Sequence, residues 1–180
     1  MDEDIVFNID TSTLIYLEKY YPRKDFGLIW NNLEKAFEEG KVYILDKVWK
    51  EIHDYEDKAD PLLVWMGEDR KAKMVKRTQE QHVIKAAQII RENRELLKDT
   101  ISVDAAVKEI ADPYIIAHSM IEKTVIITGE KKYLNPKPSQ IRIPHVCEKY
   151  GIPCVSLKAG DQEAIIPLYL IQSLELNKEK

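Results

Sequence analysis

Ile5-Val6-Phe7-Asn8-Ile9-Asp10-Thr11-Ser12 is the stretch on which the fold turns. A short apolar run reads as a buried strand, because strands covered on both faces lack polar alternation. The run ends abruptly at an acid and two hydroxyls, any of which can cap the helix that Leu14, Ile15 and Leu17 outline. Tyr20-Tyr21-Pro22 closes that helix. The same unit recurs downstream. Residues 25–39 carry Phe26, Ile29, Trp30, Leu33 and Phe37 at helical spacing, with Gly40 as the stop. Residues 42–45 form the second apolar strand, and Asp46 is placed to cap a helix bearing Val48, Trp49, Ile52 and Tyr55.

Residues 58–110 read as a charged, mainly helical insertion, a helical arm on the sheet. Its main element spans 78–97, with Val83, Ile84, Ala87, Ile90 and Leu97 expected on the inner side. Residues 101–110 suggest a loop with a short helix. Asp112-Pro113 then opens a strongly apolar helix, with Asp112 as the expected N-cap and Pro113 at the first helical position. Residues 125–127 are a further strand, closed by Thr128-Gly129-Glu130, and 131–138 a loop. Residues 143–150 form a short helix stopped by Gly151, 152–157 a last strand, and a final helix follows from Gly160. Strands alternating with helices predict an α/β domain: a three-layer α/β/α sandwich around a mainly parallel sheet. The 180 residues fit a single domain.

Composition narrows the function classes. Apolar residues make up 44% and charged residues 32%, a soluble balance, and the net charge is −4. An acidic chain is a poor nonspecific coat for nucleic acid, yet a carboxylate cluster offset by metal would carry such a charge. The two cysteines, Cys147 and Cys154, lack zinc-site spacing and read as buried thiols of a reducing compartment. No apolar run is long enough to span a bilayer, and acids occupy the first residues, so a cytoplasmic location without membrane attachment is expected.

Most of the 31 acidic residues are simply solvated. Four stand out by position. Asp10 follows the first strand, Glu51 lies one turn into the helix after the second, Asp112 begins the most apolar helix, and Glu130 follows the strand at 125–127. In parallel sheets, sites form outside the carboxyl ends of the strands, which is where these acids would meet. Each has a bland reading as well: Asp10 and Asp112 as caps, Glu51 as a surface residue, Glu130 as a loop residue. Gathered together, carboxylates resist joint ionisation unless a cation binds. An all-oxygen set without histidine or thiolate suits Mg²⁺ or Mn²⁺. Two such ions can activate water and stabilise the leaving oxygen of a phosphodiester.

The sequence also resembles the PIN-domain nuclease superfamily. Phe7-Asn8-Ile9-Asp10-Thr11-Ser12 is similar to the family's opening strand and first acid. Val48-Trp49-Lys50-Glu51-Ile52 resembles the segment of the second acid. Ala111-Asp112-Pro113-Tyr114-Ile115-Ile116-Ala117 looks like the pattern around the third, and Ile126-Ile127-Thr128-Gly129-Glu130 like the strand supplying the fourth. The resemblance implies the same sandwich, a Mg²⁺- or Mn²⁺-dependent ribonuclease, and metal ligation by Asp10, Glu51, Asp112 and Glu130, with Ser12 and Thr128 in support. Many relatives are VapC-type toxins, so it also implies an RNA substrate, an antitoxin protein as partner and a homodimer. Glu130 stands where the family usually has aspartate, and the segment between Glu51 and Asp112 is longer than in compact toxins. Lys131 and Lys132, beside the expected site, are candidates for RNA phosphates. Lys71, Lys73, Lys76 and Arg77 read as a solvated helix face. Two rivals stand: a catalytically silent PIN-like module that binds RNA or protein, and a metal-dependent phosphatase for small molecules.

Overall fold

A computed structural model describes residues 5–55, 60–67, 69–94 and 110–158. Five parallel strands form one sheet in the order β3-β2-β1-β4-β5. They are β1 (Phe7–Ile9), β2 (Val42–Leu45), β3 (Val75–Lys76), β4 (Val125–Lys131) and β5 (Cys154–Lys158). The helices are α1 (Thr11–Tyr20), α2 (Gly27–Glu38), α3 (Asp46–Tyr55), α4 (Pro61–Met66), α5 (Lys71–Met74), α6 (Glu80–Glu92), α7 (Asp112–Glu122) and α8 (Ile143–Tyr150). The chain steps from β1 to β2 and β3 on one side, then adds β4 and β5 on the other. Right-handed crossovers therefore place α1 to α5 on one face of the sheet and α6 to α8 on the opposite face. The result is an α/β/α sandwich with β1 at its centre.

The core explains why these segments hold. Phe7, Ile9, Val42, Ile44 and Ile126 are buried, as strands covered on both faces require. On the α1–α5 side, Trp30 and Trp65 meet edge to face with centroids 4.6 Å apart, and Phe37 lies beside them. The Trp65 indole N–H donates to Glu34 Oε1 at 2.6 Å, so its polar tip is not stranded in the core. On the other side, α7 is buried from Pro113 to Ser119 and lies against β1, where Asn8 Nδ2 donates to Ser119 Oγ at 3.1 Å. The three tryptophans are core residues, as their spacing suggested.

Several elements differ from expectation. The described part of 58–110 is built into the sandwich: α4 is buried against α2, β3 extends the sheet, and α6 packs along α7. A two-residue strand carries no periodicity, so β3 could not be read in advance. The inner face of α6 is His82, Ala86, Ile89 and Ile90, while Val83 and Ile84 are exposed. A buried histidine on that face hid its true phase. Asp46 is the first residue of α3, and its Oδ1 accepts from Lys47 N at 3.0 Å and Thr78 N at 3.2 Å, tying α3 to the segment after β3. Lys71, Lys73, Lys76 and Arg77 are exposed, as a solvated face requires, with Lys73 paired to Glu38 at 2.8 Å and Lys76 4.1 Å from the Tyr43 ring centroid. Leu97, residues 101–109 and the expected last helix from Gly160 lie outside the described residues. Among the described residues no helix is long and apolar enough to cross a membrane.

Trp30 is fully buried against Trp65. Trp30→Ala should lower stability by about 3–5 kcal/mol, read as a shifted urea midpoint.

Candidate metal centre

The strand order reverses direction between β1 and β4, and that switch point is where a parallel sheet opens a crevice at its carboxyl edge. Asp10 stands there, one residue past β1, and Thr128 faces it from β4. Thr128 Oγ1 donates to Asp10 Oδ2 at 2.6 Å, and Ser12 Oγ donates to the same oxygen at 2.8 Å. The other oxygen, Oδ1, accepts from Thr13 N at 2.8 Å and Thr13 Oγ1 at 2.7 Å. Asp10 is thus the N-cap of α1 and a member of the site at once. Burial raises its pKa, and the hydrogen bonds from Thr128, Thr13 and Ser12 pull against that rise.

The seam between α1 and β4 depends on Gly129. Its N–H donates to Ser12 Oγ at 2.9 Å. A Cβ there would lie 2.5 Å from Ser12 O and 2.7 Å from Ser12 C. Those are backbone atoms and cannot swing away, so a side chain at 129 would push α1 off β4. Just beyond, the β4–β5 register slips between Thr128 and Lys131, a bulge that continues β4 past its expected end. Bulges re-aim side chains, and this one carries Glu130. Glu130 Oε2 accepts from Ile143 N at 2.9 Å, holding the start of α8, and Glu130 Oε1 lies 3.8 Å from Arg142 Nε.

Glu51 and Asp112 complete the group. Thr11 Oγ1 donates to Glu51 Oε2, joining α1 to α3. Glu51 is partly buried, not the surface residue that its bland reading allowed. Asp112 is not the N-cap of α7. Tyr114 N and Ile115 N both donate to Ala111 O, at 2.9 and 3.1 Å, which makes Ala111 the cap and Asp112 the first helical residue. The cap position itself carries no side-chain hydrogen bond, since Ala111 has only a methyl group. Burial raises the Asp112 pKa well above the usual carboxylate range, and the negative charges of Glu130, Asp10 and Glu51 raise it further. Arg142 acts in the opposite direction. Glu130, Asp10 and Glu51 therefore lie within electrostatic reach of Asp112, although no three of these four acids bring carboxylate oxygens within 4.8 Å of one another.

The donor set is carboxylates and hydroxyls, which fits Mg²⁺ or Mn²⁺ and not a soft metal. The electrostatics fit as well, since a dication would offset the negative charges that raise the Asp112 pKa. The other two expectations for this region are simple to place. Lys132 pairs with Glu148 at 3.2 Å, and Lys131 lies 5.5 Å from the Tyr133 ring centroid.

A second group, His82, His118 and Glu122, lies between α6 and α7, with ligand-type atoms all within 4.8 Å of one another. Its hydrogen bonds argue against a metal. Gln79 N donates to His82 Nδ1 at 3.0 Å, so the ring proton sits on Nε2, which points at Glu122 Oε1 3.2 Å away. Binding a metal through Nε2 would move that proton to Nδ1, against the Gln79 N–H. His118 Nδ1 lies 2.9 Å from Tyr43 Oη, and burial, then His82, lower its pKa to about 4. The group is a buried polar clasp between helices. Histidine and glutamate one turn apart on α7 were visible in the sequence; His82, forty residues earlier, was not predictable as their neighbour.

The chain matches a family described as a domain of unknown function, DUF4411, over residues 7–159, and belongs to it. No curated protein matches. The matched span holds the whole sheet and all four acids.

The raised Asp112 pKa fixes the sign of a pH effect. The folded state keeps this proton above the usual 3.8, while the unfolded chain releases it there. Stability is therefore lost as pH rises from 3.8 through the folded value. In chelator at neutral pH, Asp112→Asn should melt at a higher temperature than the wild type, with the gap narrowing toward pH 4. An unchanged or lower melting temperature would show that this charge is already compensated.

Proposed function

We propose that this protein is a divalent-metal-dependent nuclease that hydrolyses phosphodiester bonds in RNA. The observation that supports the reading is that Asp10, Glu51 and Glu130, from three separate segments, lie within electrostatic reach of Asp112. Asp10, Glu51 and Asp112 would hold Mg²⁺ or Mn²⁺, with Glu130 contributing from the β4 bulge. When bound, the metal would supply an activated water and neutralise charge developing on the phosphate.

The chain's own residues prepare that chemistry. Four donors fix the Asp10 carboxylate, two on each oxygen, so its orientation is set beforehand and a metal would take the place of one hydroxyl donor. Thr128 and Ser12 reach Asp10 from β4 and α1, so the seam that positions the acid also closes the fold. Thr11 does the same for Glu51. Asp112, free of capping duty, projects from the first turn of α7 toward the other three. Its high pKa makes it a proton holder without metal and a carboxylate ligand with metal, so metal binding releases a proton.

RNA is the proposed substrate because the resemblance to PIN-domain nucleases points to it. On the same reading the chain is a candidate toxin restrained by a protein antitoxin, working as a homodimer. The silent binding module is the reading that an inactive but metal-loaded protein would favour.

The test is cleavage of labelled single-stranded RNA in Mg²⁺ or Mn²⁺. Asp10→Asn should abolish cleavage with the fold retained by circular dichroism. Thr128→Val removes a donor behind the ligand and should cost roughly 10–100-fold in rate. Cleavage that survives in Asp10→Asn, or that persists in excess chelator, would overturn the proposal.

A further inference from the structure

Four clustered carboxylates repel a polyanion, so a strand can approach only if cations meet its phosphates at the edge of the cluster. Lys131 and Lys132 are adjacent in sequence, but Lys132 pairs with Glu148 and Lys131 leans on Tyr133. Arg142, which no motif marked, is differently placed. It is the N-cap residue of α8, in extended conformation, directly before the Ile143 N–H that Glu130 holds. Its Nη1 donates to Ser139 O at 3.0 Å and Ile141 O at 2.7 Å. Two carbonyls therefore anchor one arm of the guanidinium. Its Nε lies 3.8 Å from Glu130 Oε1, too far for a hydrogen bond. The Nη2 arm has no hydrogen-bond partner among the described residues. The side chain is 44% exposed.

A cation held this way is poorly explained as a structural ion pair. A loose, solvent-exposed pair contributes little to stability. A guanidinium fixed on one arm and open on the other is suited to gripping a phosphate with two parallel N–H groups. It stands beside Glu130, which holds the first turn of α8 and acts electrostatically on Asp112.

We propose that Arg142 binds an RNA phosphate adjacent to the one cleaved, steering the strand across the acid cluster. The inference rests on the nuclease reading for the word "cleaved", but phosphate binding can be tested without turnover. Arg142 also opposes the three acids that act on Asp112, so it lies within electrostatic reach of the cluster it would serve.

The experiment is fluorescence anisotropy of a labelled single-stranded RNA of mixed sequence, with Ca²⁺ replacing Mg²⁺, across a salt series. Arg142→Gln should weaken binding roughly tenfold or more, and the log–log salt slope should become shallower by about 0.7, the value for one single-strand phosphate contact. Arg142→Lys should keep the salt slope and recover part of the affinity, since charge remains and the fork is lost. Melting temperature is recorded for each variant; the Lys variant keeps the test valid if the Gln variant unfolds. Unchanged affinity and slope in a folded Arg142→Gln would overturn the inference, as would a wild type that does not bind RNA. A wild type that binds RNA through Arg142 but never cleaves it would sustain the inference and sink the nuclease reading.

Discussion

Burial of carboxylates beside one another is the constraint around which the site is organised. Acids from distant parts of the chain lie within electrostatic reach of Asp112, and Asp10 stands just past the end of β1 where the strand order reverses. Desolvation of the Asp112 carboxyl is the larger cost, and the charges of Glu130, Asp10 and Glu51 add to it. The surroundings oppose that cost with directed donors and one cation. Thr128, Ser12 and Thr13 neutralise Asp10 by hydrogen bonding, Thr11 holds Glu51, and Arg142 leans toward Glu130 and Asp112. Strain kept at such a cluster is the usual mark of a site whose stability is traded for a ligand.

Each acid but one is also a joint in the framework. Asp10 caps α1 and bridges to β4. Glu51 ties α3 to α1. Glu130 rides a bulge in β4 and holds the first turn of α8. Asp112 is the exception, because α7 starts one residue earlier than the Asp-Pro pair suggested and leaves its carboxyl outside the capping role. The close approach of Ser12 to Gly129 sets the spacing of the whole group. A methyl group at that glycine would separate Asp10 from Thr128 without touching either.

Much of this was legible in the residues, for physical reasons. Short apolar runs closing at Ile9, Leu45 and Thr128 read as buried parallel strands, which places Asp10 and Glu130 toward the carboxyl edge of the sheet. What escaped reading depends on contacts made across the fold. Two residues at Val75 and Lys76 become a strand only because β2 offers an edge. The inner face of α6 turns on His82, a residue that looks polar until Glu122 and Gln79 satisfy it. The bulge that aims Glu130 is a mismatch between β4 and β5, invisible in either strand alone. Arg142 precedes an ordinary-looking Ile-Pro helix start, and its place beside Glu130 comes from how α8 returns to the sheet. This member of the DUF4411 family carries the four acids on a five-stranded parallel sandwich.

The claim beneath all of this is that the β1–β4 crevice is built for a hard dication. Calorimetric titration of the protein with Mn²⁺ in buffers of different ionisation enthalpy measures both binding and proton release. The account predicts one saturable class of sites that releases protons near neutral pH and disappears in Asp10→Asn. Binding that is weak, releases no proton and is the same in Asp10→Asn would contradict it.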